Sequence, residues 1–309
     1  MLKKYLFYAL KPLIPRWTQL ILRRKIASYK RAKYTDVWPI DPKAATPPEG
    51  WKGWPDGKKF ALVLSHDVDT KKGHDQAEKL IQLEEQLGFR SCFNFVPERY
   101  GNVSANLIKM IQAKDFEVGV HGLHHDGKLF WSKQIFDQRA QKINLYLKQW
   151  NASGFTSPAM HHNFGWMHIL NATHCISTFD TDPFEPQPDA AGTIFPFYVQ
   201  NGHSEKGWLE LPYTLPQDFT LFVIMKEKNI DIWKNKLDWV ASKGGMALLN
   251  THPDYMNFSG DRLGSEEYSA KFYENFLKYI KKEYRDSFWH VLPEELTEYI
   301  LEGSIMVAA

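Results

Sequence analysis

The length, composition and charge of the chain exclude several classes of protein. It has 309 residues, of which 43% are hydrophobic, and a globular chain of this size buries roughly three quarters of its unfolded surface. Disulfide support is therefore unnecessary, and two cysteines, Cys92 and Cys175, are too few for a zinc ribbon or a disulfide framework. Buried thiols in a reducing compartment are the expectation.

The basic side chains are concentrated at the N-terminus. Residues 1–35 contain ten lysines and arginines and no acidic residue. Since the whole chain has 38 basic and 36 acidic side chains, the remainder has 28 basic against 36 acidic ones. A catalytic domain that binds nucleic acid should itself be basic, so we expect no nucleic-acid partner.

The first segment of the chain resembles neither a membrane span nor a secretory signal. No apolar run reaches the roughly 20 residues that a transmembrane helix needs, and Pro12 and Pro15 interrupt the start, which also lacks a small-residue cleavage site. We therefore expect a cytoplasmic protein. Residues 16–33 predict a basic amphipathic helix, which could lie on an anionic membrane surface or pack on the main body. The sequence leaves both alternatives open, so residues 1–35 could also make a peripheral contact with the inner face of the membrane.

The rest of the chain predicts an α/β fold. We assign residues 1–54 to a basic extension with a proline- and tryptophan-rich connector, and residues 55–303 to a catalytic domain. From residue 59, predicted strands alternate with predicted helices, which favours a parallel α/β barrel or a doubly wound sheet. The predicted strands are KFALVLS, SCFNFVP, FEVGVHG and MALLNT, with further pieces around 175–180, 193–199, 208–215 and 220–225. The predicted helices are 74–88, 104–113, 132–150, 231–243 and 265–284.

Polar side chains follow several of these predicted strands. Asp67 and Asp69 follow the first strand, His121 and His125 follow FEVGV, and His252 follows MALLNT. In α/β barrels the active site lies at the carboxyl ends of the strands. We therefore expect these side chains to meet at one end of the barrel.

Their spacing favours a catalytic metal site. Two aspartates separated by one residue point to the same side of an extended chain, and two histidines four apart share a face if a helix follows. Two imidazoles and one carboxylate form an incomplete ligand set, which leaves room for water and substrate. The other aspartate is then free to act as a base, and His252 could serve as an acid from the opposite side.

At these residues the sequence resembles the polysaccharide deacetylases of carbohydrate esterase family four, which share the NodB-type domain of the nodulation chitooligosaccharide deacetylase. The run Ser65-His66-Asp67-Val68-Asp69 is similar to the first family motif, and His121 with His125 is similar to the second. Thr156-Ser157-Pro158 aligns with the third motif, Arg-x-Pro, and Leu249-Asn250-Thr251-His252 with the last. The resemblance extends over about residues 55–300.

The resemblance implies both a fold and a chemistry. The fold is a distorted (β/α) barrel of about seven strands. Asp67 would be the catalytic base, and Asp69, His121 and His125 would bind a divalent metal, for which Zn²⁺ is our first expectation. His252 would be the catalytic acid. In the third motif Ser157, Pro158 and Ala159 would contact substrate, with the main-chain N–H of Ala159 donating to the oxyanion.

Two departures from the family pattern bear on activity and substrate. Thr156 stands where the family has an arginine that orients the base and tunes its pKa. Residues 179–184 stand where the family has an aromatic motif that lines its groove, and no such motif is recognisable there. The substrate could thus differ from chitin or peptidoglycan.

The function we expect is the removal of an N-acetyl group from a sugar or glycan precursor by a metal-dependent hydrolase. A cytoplasmic enzyme with a basic amphipathic N-terminus suggests a lipid-linked or nucleotide-activated sugar at the inner membrane face. Two alternatives remain open. One is a metal-dependent amidohydrolase acting on a non-sugar amide, because fold does not fix function. The other is a non-catalytic carbohydrate-binding barrel, which the Thr156 substitution supports.

Overall fold

The computed structural model describes residues 14–101, 103–200 and 207–302. The first 13 residues of the predicted N-terminal extension and residue 303, the last of the predicted catalytic domain, lie outside this description. None of the helices in the described residues combines the length and the apolar content that a membrane crossing requires.

Strands and helices alternate along most of the chain, as the sequence predicted. The strands are β1 (Phe60–Val68), β2 (Cys92–Phe95), β3 (Glu117–His121), β4 (Gly154–Thr156), β5 (His174–Ile176), β6 (Phe197–Gln200), β7 (Gly207–Glu210), β8 (Met246–Thr251), β9 (Met256–Asn257), β10 (Tyr268–Ser269) and β11 (Phe288–His290). The helices are α1 (Arg16–Lys33), α2 (Lys71–Leu87), α3 (Ala105–Ala113), α4 (Lys133–Gln149), α5 (Phe164–Met167), α6 (Asp231–Lys243), α7 (Lys271–Tyr284) and α8 (Pro293–Glu302).

Strand β1 lies at the centre of a curled, mostly parallel sheet. It pairs with β8 along one edge and with β2 and β11 along the other. From β2 the sheet continues in parallel through β3, β4, β5 and β7, and only β6 runs antiparallel. Isolated bridges from Tyr213 to Phe179 and from Leu215 to Leu249 connect the two ends of the sheet. The result is the predicted distorted (β/α) barrel, with the carboxyl ends of its parallel strands on one rim.

The alternation of side chains along β1 explains how acidic residues reach the interior of that rim. Every residue of β1 is buried, as is typical of a parallel strand covered on both faces. Phe60, Leu62 and Leu64 pack in the cluster that contains the surrounding helices, whereas Ala61 and Val63 pack inside the barrel. Because successive side chains point to opposite faces, Asp67 belongs to the interior set.

Helix α1 forms over the predicted range and packs on a short π-helix, Phe219–Ile224. The apolar run predicts a strand at 220–225, and that prediction is wrong. A short apolar run does not distinguish a buried strand from a buried helical segment. Here Met225 N–H donates to the carbonyl of Thr220, five residues earlier, which gives the segment its π-helical turn. The last predicted long helix, 265–284, begins only at Lys271, because β9 and β10 pair just before it.

Candidate active site

Asp69, His121 and His125 meet at the rim and present three ligand atoms to one point. Oδ1 of Asp69 lies 3.3 Å from Nε2 of His121 and 3.0 Å from Nε2 of His125, and one ligand atom from each residue lies within 4.8 Å of the others. Donor atoms around a tetrahedral zinc ion are about 3.4 Å apart. The buried Oδ1 of Asp69 has no hydrogen-bond partner in the described residues other than these two imidazoles. These residues therefore fit a single divalent cation.

The two histidines converge through a loop and not through the helix that would have placed them on one face. His121 is the last residue of β3, and helix α4 begins only at Lys133. Gly122 and His125 both have positive φ, +61° and +50°, a conformation that is costly for a side chain other than glycine. Backbone strain of this kind concentrates at functional sites.

The orientation of His121 is set by a main-chain contact. Its Nδ1 lies 3.1 Å from the carbonyl oxygen of Thr156 at the end of β4. Because a carbonyl only accepts, Nδ1 carries the proton in this hydrogen bond, and Nε2 is left as the ligand atom. Residue 156 therefore contributes to the site through its backbone.

The charges of the cluster favour cation binding. Burial alone raises the pKa of Asp69, but His125 and His121 together hold it well below its usual range. Burial lowers the pKa of His121, yet Asp67 and Asp69 outweigh that effect and raise it. The cluster thus holds an ionised carboxylate that attracts positive charge, whether a proton on an imidazole or a metal ion.

Asp67 is held by two neutral amides. Nδ2 of Asn94 donates to Oδ1 at 3.1 Å, and Nδ2 of Asn250 donates to Oδ2 at 2.8 Å. No lysine or arginine in the described residues forms an ion pair with Asp67, and the nearest group that can carry positive charge is His121, whose Nδ1 lies 3.7 Å from Oδ1 of Asp67. Asn94 lies directly opposite Asp67 in the β1–β2 register. Sequence reasoning missed both asparagines, although each is a lone amide within an apolar strand.

His252 is held by an aspartate that the sequence analysis did not identify. Nδ1 of His252 lies 2.7 Å from Oδ1 of Asp218, and its backbone N–H donates to Oδ2 at 2.9 Å. The hydroxyl of Tyr268 also donates to Oδ2, at 3.0 Å. Burial lowers the pKa of His252, but the Asp218 carboxylate outweighs it, and with the charges of Asp69 and Asp67 raises it to about 10. The ring is therefore a protonated imidazolium beside the ligand cluster.

Asp254, two residues after His252, stabilises the loop that follows β1. It is buried and accepts the backbone N–H of Asp69 at 2.9 Å and the hydroxyl of Thr70. It therefore fixes the turn that carries the carboxylate of the ligand cluster.

The segment after β4 forms a strained turn beside the histidines. Ala159 and Met160 have φ of +55° and +51°, and the hydroxyl of Ser157 donates to the carbonyl of His161. Pro158 lines a small cleft together with His125 and His161. The N–H of Ala159 makes no hydrogen bond to any described residue, so it is a free main-chain donor near the cluster.

Comparison with known proteins identifies the fold. No protein-family model matches the sequence, and no curated protein matches it. A candidate polysaccharide deacetylase from Mycobacterium smegmatis superposes with a TM-score of 0.64 at 16% identity, over 85% of this chain and 96% of that one.

Two further solved structures superpose with a TM-score of 0.47. One is the CE4 domain of a multidomain xylanase from the hindgut metagenome of Trinervitermes trinervoides, at 12% identity over 79% of this chain and 91% of that one. The other is a CE4 family pseudoenzyme from Bacillus anthracis, at 15% identity over 79% of this chain and 66% of that one. On the mycobacterial match, the chain has the NodB-type polysaccharide deacetylase fold that its motifs predicted.

Proposed function

We propose that this protein is a metal-dependent hydrolase that removes an N-acetyl group from a sugar or a glycan precursor. The observation that carries the proposal is the grouping of three kinds of side chain at one rim of the barrel. These are a ligand cluster (Asp69, His121 and His125), a hydrogen-bonded carboxylate beside it (Asp67), and an imidazolium held by Asp218 (His252). A base, an acid and a cation site are the groups that metal-assisted amide hydrolysis requires.

The residues of this chain divide the reaction between them. Asp69, His121 and His125 would hold a divalent cation, Zn²⁺ in our proposal, which would supply positive charge to polarise the acetyl carbonyl and make water more acidic. Asp67, fixed by its two asparagine partners, takes the proton of the water that attacks the carbonyl carbon. Asp218 keeps the ring of His252 protonated before the reaction, and His252 then donates this proton to the amine nitrogen as the carbon–nitrogen bond breaks. Acetate and a free amine are the products.

The turn after β4 contributes the remaining donor. In our proposal Ser157 and Pro158 hold the turn in its strained conformation, and the N–H of Ala159 donates to the oxyanion that develops on the acetyl oxygen. Removing one such donor typically costs about 100- to 1,000-fold in kcat. Because this donor belongs to the main chain, a change of side chain at residue 159 alone leaves it in place.

The proposal is tested by metal analysis and acetate release on the same samples. The wild-type protein, a His121→Ala/His125→Ala variant and a His124→Ala control are loaded with zinc, desalted and assayed with N-acetylated hexosamine oligosaccharides. His124 is the matched control, because its Nδ1 lies 3.2 Å from the carbonyl of Glu98 and it belongs to no ligand cluster. We expect about one metal per chain and acetate release in the wild type and the control, and neither in the double variant.

Other outcomes would replace the proposal. Metal binding without acetate release from any saccharide, but with hydrolysis of small cyclic amides, would assign the site to an amidohydrolase of non-sugar amides. Saccharide binding that survives Asp67→Asn, without turnover in the wild type, would identify a carbohydrate-binding barrel. Absence of metal from the loaded wild type would contradict the mechanism as a whole.

A further inference from the structure

Helix α1 exposes an apolar face on the side that points away from the barrel. Nine large apolar side chains in the described residues are exposed, and five of them lie on this one helix, each between 45% and 68% accessible. We call them, together, the outer face. Its members are Trp17, Ile21, Leu22, Ile26 and Tyr29. At about 100° per residue these five side chains are spread over about half of the helix circumference, on the side opposite the buried Leu20 and Ala27. Exposed apolar residues scattered singly need no explanation, but a cluster of this kind indicates an interaction surface.

The inner side of the same helix holds it firmly on the barrel. Leu20 and Ala27 are buried against Val223 and Ile224 of the π-helix. Two ion pairs flank this contact and tie the helix to the main body. They are Arg16 with Glu266 and Arg31 with Glu227. The outer face is therefore presented in a fixed orientation, and it is not the exposed side of a detached segment.

The helix also lies beside the acid of the proposed active site. The guanidinium of Arg23 lies 5.5 Å from the ring centre of Phe219. Phe219 packs against Tyr255 with ring centres 4.8 Å apart, and Tyr255 packs against His252 at 5.3 Å. Only two aromatic rings thus separate the helix from His252. A surface that binds the outer face is held close to the catalytic rim.

The charges around the outer face favour an anionic lipid surface as its partner. Lys25 and Lys33 are exposed and form no ion pair with any described acidic residue, and residues 1–35 contain no aspartate or glutamate. Both lysines lie among the apolar residues of the outer face, and a helix that combines lysines with apolar and aromatic residues is typical of interfacial binding. Tryptophan and tyrosine favour the headgroup region. A second copy of this chain would bring lysines together, which like-charge repulsion disfavours.

We propose that the outer face of α1 docks on an anionic bilayer, and that the substrate is an N-acetylated saccharide whose lipid anchor lies in that bilayer. The docking half of this inference is independent of the proposed function, and the substrate half rests on it. Docking places the barrel rim next to the membrane surface, where the saccharide of a lipid-linked substrate is found. The anchor itself then needs no pocket in the protein.

The docking half is tested by cosedimentation with vesicles. The full chain, an Ile21→Ser/Leu22→Ser/Ile26→Ser variant and a Leu145→Ser/Ile169→Ser control are mixed with vesicles of phosphatidylcholine, alone or with phosphatidylglycerol. Leu145 and Ile169 are exposed apolar residues outside α1, so the control removes similar surface elsewhere. We expect binding to the anionic vesicles, at least about tenfold weaker in the outer-face variant and unchanged in the control.

A charge variant distinguishes binding to anionic lipid from non-specific hydrophobic adsorption. Each lysine near an anionic bilayer contributes about fivefold to binding, so Lys25→Gln/Lys33→Gln should weaken binding to phosphatidylglycerol vesicles by roughly 25-fold. Equal binding of wild type and variants would overturn the proposal. A dimer that the serine variant dissociates, without any vesicle binding, would instead assign the face to a second copy. Vesicle binding that appears only when residues 1–13 are deleted would show that this segment, and not a bilayer, occupies the outer face in the full chain.

The substrate half is tested on the same variants by acetate release from a soluble N-acetylated oligosaccharide and from an N-acetylated glycolipid in anionic vesicles. The outer-face variant should keep its kcat on the soluble substrate and lose at least about tenfold of its rate on the vesicle-bound one. Equal rates on the vesicle substrate would overturn the membrane inference and leave the proposed function intact. If the wild-type protein released no acetate from either substrate, the proposed function would be contradicted.

Discussion

The carboxylate of Asp67 accepts a hydrogen bond of 2.8 Å from the side-chain amide of Asn250, which reaches it from the neighbouring strand β8. Together with Asn94 on the other side, this contact fixes the proposed base between two strands. Thr156 stands where the related motif has an arginine that orients the base. In this protein two neutral amides orient the Asp67 carboxylate instead. The amides can orient the carboxylate, but they bring no positive charge to it.

Asn250→Ala should therefore reduce kcat more than it changes KM. Loss of one of the two anchors lets Asp67 rotate away from the attacking water, and a misplacement of about 1 Å can cost about 100-fold in rate. We expect a decrease of about 10- to 100-fold in kcat with acetate release as the readout, and an unchanged metal content. Asn250→Asp should be worse, because it places a second carboxylate against Asp67.

Two results would argue against this role of Asn250. A purely structural role predicts a lower free energy of unfolding in Asn250→Ala with an unchanged kcat for the folded fraction. Rates of the alanine and aspartate variants equal to that of the wild type would likewise show that the contact with Asp67 does not matter for turnover. Urea unfolding of the same samples separates a loss of folded protein from a loss of rate.

The parts of the site that local sequence patterns encode were predictable. Asp67 and Asp69 follow an apolar run that reads as a buried strand, and His121 follows another, so the carboxyl ends of parallel strands place them together. The family motifs then assigned roles to the same residues. The local conformation between His121 and His125 was not predictable, because a four-residue spacing also suits a loop whose backbone has positive φ.

Contacts between distant segments were not predictable. Asp218 lies 34 residues before His252, and nothing in its neighbourhood marks it as the partner of a histidine. The same holds for the π-helix that follows it, since its apolar run suits a strand equally well. The role of Asn94 was easier to predict. A buried amide needs a hydrogen-bond partner, and parallel pairing of β2 with β1 places Asp67 opposite it.

Asp218→Asn should move the alkaline limit of activity to lower pH. The pKa of His252, about 10 in the folded protein, lies above its usual value near 6.5. The stabilisation from this pair is therefore complete below pH 6.5 and is lost as the pH rises through 10. Without the Asp218 carboxylate the pKa of His252 falls, because burial lowers it and only the charges of Asp69 and Asp67 still raise it, so less of the ring is in the acidic imidazolium form at neutral pH. We expect roughly a hundredfold loss of kcat at neutral pH.

The pKa shift behind that prediction can be measured directly. NMR titration of the ring protons of His252 in the metal-free protein should show a raised pKa in the wild type and a pKa below that wild-type value in Asp218→Asn. Tyr268→Phe is the matched control, because it removes another hydrogen bond to Asp218 and keeps the carboxylate. An identical titration in all three proteins would remove Asp218 as the cause.

Lys236→Ala should destabilise the fold strongly. Lys236 and Asp180 form an ion pair in which both side chains are almost completely buried, and breaking such a pair leaves an uncompensated charge that costs about 3–5 kcal/mol. Burial already raises the pKa of Asp180 against the effect of Lys236. Without Lys236 the pKa rises further, so the variant should lose more stability as the pH increases from 4 towards neutrality.

Urea unfolding at acidic and neutral pH measures this effect. The control is Lys278→Ala, which breaks the exposed pair with Glu274 on helix α7 and should cost no more than about 0.5 kcal/mol. A loss for Lys236→Ala as small as that of the control would show that water replaces the lysine and that the charge is not isolated.

Gly122→Ala should damage the site more than the fold. Gly122 follows the ligand His121, has φ of +61°, and a Cβ there would lie 2.5 Å from Cγ of Pro158. The substitution therefore displaces the turn that carries the Ala159 N–H. Gly260→Ala is the matched control, since Gly260 has φ of +77° and nothing within 4 Å of its added Cβ. Both variants should lose about 1–2 kcal/mol of stability to backbone strain, measured by thermal unfolding. Only Gly122→Ala should also lose acetate release, by about 10- to 100-fold, and an equal kcat in the two variants would show that the Pro158 turn takes no part in the reaction.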